Sequence, residues 1–476
     1  MKEFETWYKS GMRKLMGPAM VIEPLNYDEW LAGVNSKLEV KRQLRISKSN
    51  TDAMGLDEKS QLTKEHLYNA TRRKAFTKKE NQNKGNVLTA SRKMPRLIQG
   101  AHNDLTNFVG PWMSALQGRM KRWLDGTGGM MFTSGRTNRQ VAAFIDREGY
   151  RIFEDDVSAY DMSIVKQYGF MEIAICKHVG APRAVVDLME ANLHTHGYTG
   201  TGWKYSVEGT RKSGDVYTSL MNSIINLLVH RFIFQKMTGC SFDEAGVNLQ
   251  MAAQGDDNVG CHKGDPIDWQ DGMAKMGFKA KPKYHREVGR VEFCSQFMVE
   301  DSVGPTFTPL VGRTLAKIGV SLTSKPGMEK AYARMTALSL LDTVSSNPPL
   351  LAYCNWVLKK TSPDDWMQLA PEPWKMKADV QGRATEKTWL ALINRYGYDQ
   401  SMHMEFVKEL DGREFGESAK TPIFDHLVTV DAGDPLEEMD TYLGLPVPGT
   451  EHEAEAVDVG SVAQVAVGLP GWGTVM

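Results

Sequence analysis

The tightest constraint on what this chain can become is Gln254-Gly255-Asp256-Asp257-Asn258, a Gly-Asp-Asp triplet between two short, partly apolar stretches, 247–253 and 259–261. Two adjacent carboxylates on a tight turn, about 4 Å apart at an effective dielectric of about 20, repel by about 4 kcal/mol, so the arrangement calls for a compensating cation. Mg²⁺ suits it: a hard ion that takes one or two carboxylates, keeps waters and shares its remaining positions with substrate phosphates. The triplet alone decides little, because a chain of this length meets Gly-Asp-Asp by chance about one time in ten. In isolation it is a surface turn as often as a metal site.

Its context narrows the choice. Asp156-Val157-Ser158-Ala159-Tyr160-Asp161 sets an acid at the end of a strand-like stretch, 150–156, and a second acid five residues on, at the start of a helical one. Ser213-Gly214-Asp215-Val216-Tyr217-Thr218, then Asn222, describes a glycine turn entering a helix on which Thr218 and Asn222, at i and i+4, share a face. The basic stretch Arg92-Lys93-Met94-Pro95-Arg96 precedes them all.

At 476 residues the chain can bury a large core and form roughly two to four domains or one multi-lobed enzyme. Charged residues at 24% and apolar residues at 41% exclude a disordered or fibrous chain. The net charge of −1 conceals a basic belt, because 72–96 carries nine Lys and Arg against the single acid Glu80. Such a belt can hold a polyanion although the whole chain is neutral. The five cysteines, Cys176, Cys240, Cys261, Cys294 and Cys354, show no Cys-x-x-Cys, so they read as free thiols rather than zinc ligands or a disulfide framework. No run of about 18 apolar residues and no signal peptide is present, so any membrane attachment is expected through a partner or a further segment.

Periodicity predicts an N-terminal segment packing on the rest through Trp7, Tyr8, Met12, Leu15 and Met16. Helices are expected over 62–77, 104–124, 163–179, 182–194, 218–237, 269–276, 329–344, 350–359 and 385–396. Strands are expected over 150–156, within 197–208, over 290–297 and over 306–308. Beyond residue 444 the composition turns to Pro, Gly, Val and acids, the signature of a tail.

The D-x4-D, S-G-x3-T-x3-N and G-D-D segments, in this order and spacing, resemble the palm motifs A, B and C of viral RNA-dependent RNA polymerases of positive-strand viruses. Arg211-Lys212-Ser213-Gly214-Asp215 through Asn222, Lys93-Met94-Pro95-Arg96-Leu97-Ile98-Gln99 and Glu292-Phe293-Cys294 are similar to the tombusvirus-like and nodavirus-like members. The specific matches cover 92–297. The resemblance implies an α+β right-hand polymerase with fingers, a palm built on an antiparallel sheet, and a helical thumb. Expected boundaries are 1–150 for an N-terminal extension and fingers, 151–165 and 206–304 for the palm, 166–205 for further fingers, 305–444 for the thumb and 445–476 for the tail.

The same resemblance implies roles. Asp156, Asp256 and Asp257 would hold Mg²⁺ or Mn²⁺ for two-metal nucleotidyl transfer. The five-residue step to Asp161 favours Asp156 over its neighbour Asp155. Asp161 and Asn222, helped by Ser213 and Thr218, would sense the ribose hydroxyl, because polar groups left unsatisfied in its absence reject the deoxy analogue. Arg92, Lys93 and Arg96 would contact the triphosphate. Lys281, or alternatively Lys279, would protonate pyrophosphate. Ser134-Gly135-Arg136-Thr137-Asn138 is either a further fingers segment or a plain turn, and Asn258 either supports the hairpin or caps it.

Expected partners are RNA template and product, ribonucleoside triphosphates, and viral or host replication proteins, in host cytoplasm at membrane-associated replication sites. Rival readings are a reverse transcriptase, which would need a bulky side chain in place of Asp161, and a non-catalytic RNA-binding protein of the same shape. The C-terminal segment with Pro470-Gly471-Trp472 reads either as a disordered end or as an element that folds back to regulate initiation.

Overall fold

The apolar run near the middle of the chain forms the helix Thr218–Thr238, and its burial organises its surroundings. In the computed structural model, which describes residues 1–34, 36–78, 96–318, 327–365, 380–416 and 421–432, every residue from Leu220 to Phe234 is buried. A helix buried all round must be enclosed by other elements. Its cover is a five-stranded sheet, the helix Trp269–Lys275 and the N-terminal helix Lys2–Met16. Phe4 and Trp7 of that N-terminal helix meet Phe232 edge-on, and the Trp7 indole donates to Gln235 Oε1 at 2.7 Å. Tyr8, Met12 and Met16 are buried beside them, so the expected apolar stripe packs as read.

Among the described residues the strands are β1 Arg73–Thr77, β2 Leu97–Gly100, β3 Met130–Phe132, β4 Arg151–Ser158, β5 His194–Thr199 and β6 Lys204–Glu208. They continue with β7 Leu249–Gln254, β8 Asp257–His262, β9 Lys279–His285, β10 Glu292–Phe293, β11 Gln296–Glu300 and β12 Pro305–Pro309. Three sheets result, ordered β3-β7-β8-β4-β9, β2-β1-β5-β6 and β10-β11-β12. The first is antiparallel except at one edge, where β3 runs parallel to β7. Both faces of its centre are covered. Met251 and Ala253 join the core around the long helix, whereas Ala252, Val259 and Cys261 join a second core with Val141, Ile145 and Phe293, as the alternation of a strand requires.

Helices and sheets mix as an α+β chain should, but several elements differ from the expectation. The segment 62–77 is helical only over Lys64–Thr71 and then becomes β1. Pairing to β2 on one side and β5 on the other overrides its helical spacing. The strand through the acids runs on to Ser158, and β9, not among the expected strands, pairs with it along seven residues. Pro282 is tolerated there because β9 is an edge strand. The stretch 163–179 divides into Tyr160–Ser163 and Lys166–His178. The C-terminal part gathers the helices Val311–Ile318, Glu329–Val344, Pro348–Lys360, Glu386–Tyr396, Gln400–Asp411 and Pro422–Ala432 around a core of its own that includes Leu350, Leu392, Phe406 and Leu427. Val311–Ile318, Gln400–Asp411 and Pro422–Ala432 were not among the individually expected helices, although they fall in the stretch 305–444 expected to be helical.

All five cysteines are free thiols. No helix among the described residues is long and apolar enough to cross a membrane. The tail, 445–476, lies outside the described residues, as do Arg92 and Lys93.

Candidate active site

β7 and β8 close on a two-residue turn, Gly255-Asp256, with Gln254 paired to Asp257. Gly255 has φ 71°, the left-handed value that a type II′ hairpin demands at its first central position. The turn is gripped by one face of the long helix. Gln254 Nε2 donates to Ser219 Oγ at 3.1 Å and the Gly255 N–H donates to Ser223 Oγ at 2.7 Å. Asn226 Nδ2 donates to the carbonyls of Gly255 and Asp256 at 3.3 and 3.0 Å. One turn further on, fully buried His230 has Nδ1 2.9 Å from the Asn226 carbonyl and Nε2 3.3 Å from Asp155 Oδ2. Asn258 Nδ2 donates to the Asp155 carbonyl at 3.1 Å, so it supports the neighbouring strand instead of capping the turn.

Strand alternation sorts the two adjacent acids of β4. Asp155 is 3% exposed and points into the core toward His230, whereas Asp156 faces the opposite way and is open to solvent. Glu154 pairs with Val259, a register that two residues further on sets Asp156 opposite Asp257. On its other side Asp156 pairs with Lys281, while Lys279 pairs with Ser158. Directly paired residues share a sheet face. Asp156 therefore sits between Asp257 and Lys281, with Asp256 at the adjoining turn. Although Asp257 reaches solvent, the protein packed around it and then the charges of Asp256 and Asp156 push its carboxyl up to about 6. Cys294 contributes an opposing hydrogen bond to Asp257 from the β10–β11 turn, where Cys294 and Ser295 both adopt left-handed φ values of 51° and 61°.

A second cluster adjoins the turn. Ala159, at φ 52°, turns the chain from β4 into the short helix that carries Asp161. Asn222 Nδ2 donates to Asp161 Oδ1 at 2.9 Å. Burial raises the Asp161 carboxyl; Asn222 and Arg211 work against that rise, and Asp256 is close enough to add to it. Thr218 Oγ1 donates to the Lys212 carbonyl at 2.9 Å, bracing the loop in which Ser213 is exposed. Gly214 bridges to Gly100, the last residue of β2, and a Cβ on it would lie 2.2 Å from the Gln99 carbonyl oxygen. Arg96, whose carbonyl accepts the Lys78 N–H at 2.8 Å, stands just before that strand. Thr137 closes a capping box with Gln140, so 134–138 includes the N-terminus of the helix Asn138–Ile145.

The loop 209–217 rests on buried charge that the sequence reading did not anticipate. Arg73 pairs with Asp215 at 2.6 Å, both side chains sealed from solvent, and Asn192 bridges Arg73, Asp215 and Tyr217. The Lys212 ammonium donates to the carbonyls of Asn192 and Gly209 at 2.7 and 2.8 Å, and burial pushes it down to about 8. Arg211 forms a two-pronged pair with Glu172 and reaches Asn222 Oδ1 with Nε at 2.9 Å. The supports of the turn were also missed: polar residues at 219, 223, 226 and 230 in a largely apolar helix are the local signal that could have found them, whereas the ion pairs join distant segments and leave none.

The donor set fits a hard divalent ion. Asp156, Asp256 and Asp257 offer solvent-facing carboxylate oxygens, as an ion shared with substrate phosphates requires. Among the described residues no three His, Cys, Asp or Glu side chains are drawn into a ready-made cage.

Residues 35–346 match the family described as RNA dependent RNA polymerase. The chain is similar to the RNA-directed RNA polymerase of Panicum mosaic virus, 26% identical over 268 residues that cover 52% of this chain and 26% of the relative. The RNA-directed RNA polymerase of Maize chlorotic mottle virus is 26% identical over 204 residues, 40% of this chain and 20% of the relative. That of Oat chlorotic stunt virus is 26% identical over 251 residues, 48% of this chain and 32% of the relative. The matched stretches thus span between a fifth and a third of the length of these relatives.

Proposed function

This chain belongs to the RNA-dependent RNA polymerase family, and from that premise we propose that it copies an RNA template into RNA from ribonucleoside triphosphates. The observation that carries the reading is the meeting, on one face of the five-stranded sheet, of Asp156 and Asp257, with Asp256 at the adjoining turn and the Asp161–Asn222 pair beside it.

Asp156, Asp256 and Asp257 would hold Mg²⁺ or Mn²⁺. When bound, such ions lower the pKa of the primer hydroxyl and neutralise charge on the triphosphate and pyrophosphate. The chain's own residues do the rest. The helix face 219–230 fixes the turn, so the carboxylates need not reorganise as substrate arrives. Asp161 and Asn222 present a polar pair to the ribose, with Ser213 on the loop beside it and Thr218 at the start of the long helix. Lys281, on the strand next to Asp156, supplies a proton to the departing pyrophosphate. Arg96, with Arg92 and Lys93, neutralises the triphosphate. The sheet holding the carboxylates corresponds to a palm, the β2-β1-β5-β6 sheet and its helices to fingers, and the C-terminal helical core to a thumb. RNA lies between them, held mainly through phosphates and sugars, and replication proteins bring the chain to membrane-associated sites in the host cytoplasm.

The test is incorporation of labelled ribonucleotides by purified protein on a defined RNA with Mg²⁺. Asp256→Ala is expected to remove incorporation by at least about three orders of magnitude while the unfolding midpoint stays near that of the parent, because Asp256 is exposed at the turn. A fully active Asp256→Ala protein overturns the reading.

A further inference from the structure

We propose that the buried Glu172–Arg211 ion pair is a positioning device for ribose recognition, holding the Asn222 amide in the one orientation that engages Asp161. The inference rests on the reading of Asp161 and Asn222 as the ribose-sensing pair.

An asparagine amide has two ends of nearly equal shape and opposite hydrogen-bonding character, so what it recognises depends on what fixes it. Arg211 Nε donates to Asn222 Oδ1 at 2.9 Å, which commits that oxygen as acceptor. Nδ2 is thereby turned to Asp161, donating to its Oδ1 at 2.9 Å. A reversed amide would set its oxygen against a carboxylate and its N–H groups against a guanidinium, two repulsive contacts in a buried place where polar mismatches are costly.

Arg211 is itself held on every side. Nη1 donates to Glu172 Oε2 at 3.1 Å and Nη2 to Oε1. Its backbone N–H donates to the Asp161 carbonyl at 2.7 Å, and the guanidinium lies over the Tyr217 ring, 5.5 Å from the centroid. Both side chains of the pair are 4% exposed. Burial disfavours the charge on Arg211, and Glu172 more than offsets it, so the guanidinium is locked in its charged form. A buried ion pair is a poor source of net stability and a good source of orientation. One residue therefore ties the backbone of Asp161, through its own N–H, to the side chain of Asn222, through its guanidinium, and Glu172 on the helix Lys166–His178 sets the angle of that guanidinium.

The experiment compares kcat/KM for a ribonucleoside triphosphate and its 2′-deoxy counterpart on one template, using the full chain. Arg211→Lys keeps the charge and loses the planar fork. The double variant Glu172→Leu with Arg211→Met removes both charges at similar volume, so none is left buried and unpaired. Each is expected to lower the ribose preference by about tenfold or more, with KM for the ribonucleotide rising more than kcat falls. Glu172→Gln, which keeps an acceptor for the guanidinium, is the mildest change, with an expected loss of about threefold. Asn222→Ala and Asp161→Ala, measured alongside, separate the two readings. If those two leave the preference unchanged, the ribose reading itself fails. If they lower it while the folded Glu172 and Arg211 variants retain the parent's preference, the positioning inference fails alone.

Discussion

Neighbouring side chains of identical chemistry end in opposite surroundings here. Asp155 and Asp156 differ by one step along a strand, and that step puts one carboxylate against His230 in the core and the other in solvent beside Lys281 and Asp257. Two glycines are required for different reasons: Gly255 for its left-handed φ in open space, Gly214 because the Gln99 carbonyl leaves no room for a Cβ. Lys212 shows burial acting on charge. An ordinary lysine titrates near 10.5 and this one at about 8, because its ammonium is buried. Between those values the unfolded chain binds more protons than the folded one, so stability rises with pH across that window. The parent is expected to gain up to about 3 kcal/mol of unfolding free energy from pH 8 to 10.5 relative to Lys212→Met, which has no group to titrate there. Denaturant titrations of both proteins at several pH values check this, and parallel curves contradict it.

At the scale of the element, the long helix serves as core and as clamp at once. Its apolar surface is buried, and Ser219, Ser223 and Asn226 form a polar stripe that holds the carboxylate turn, continued by His230, which meets Asp155 of β4. Asn226→Ala leaves two turn carbonyls without their donor and is expected to cost about 1–3 kcal/mol of stability. A larger fractional loss of ribonucleotide incorporation is expected at a temperature where the variant is still folded. Chemical denaturation together with single-turnover incorporation measures both, and parent-like values in each would show that the stripe does not support the turn. The helix itself was readable from apolar density alone. The change from helix to strand after residue 71 was not, because β1 exists only through its pairing with β2 and with β5, which lies more than a hundred residues away.

For the whole molecule, the first helix belongs to the main core rather than hanging from it. Phe4 is 1% exposed and touches Trp7, Tyr168 and Phe232. Phe4→Ala is expected to lower the unfolding free energy by about 3–5 kcal/mol within a single cooperative transition of the main core. An unchanged main transition, with only a small early loss of helix signal in circular dichroism, would mean that the segment docks independently. The C-terminal helices have a separate core, joined to the rest through the β10-β11-β12 sheet and through pairs such as Arg139–Asp301.

The order of chemistry-bearing segments, the identity of the turn and the positions of the carboxylates were set by sequence alone, because each motif needs particular residue types at short, local spacing. The step to Asp161 already favoured Asp156 over Asp155, but only the tertiary structure gave the physical reason, placing Asp155 against His230 and Asp156 outward with the turn, since one residue of strand register reverses every side chain. It set Lys281 rather than Lys279 opposite Asp156 through the pairing of β4 with β9. It also joined Glu172 to Arg211 across 39 residues and Asp155 to His230 across 75. Contacts of that kind have no local signature: the burial and hydrogen bonding that make them arise only when distant segments fold against one another.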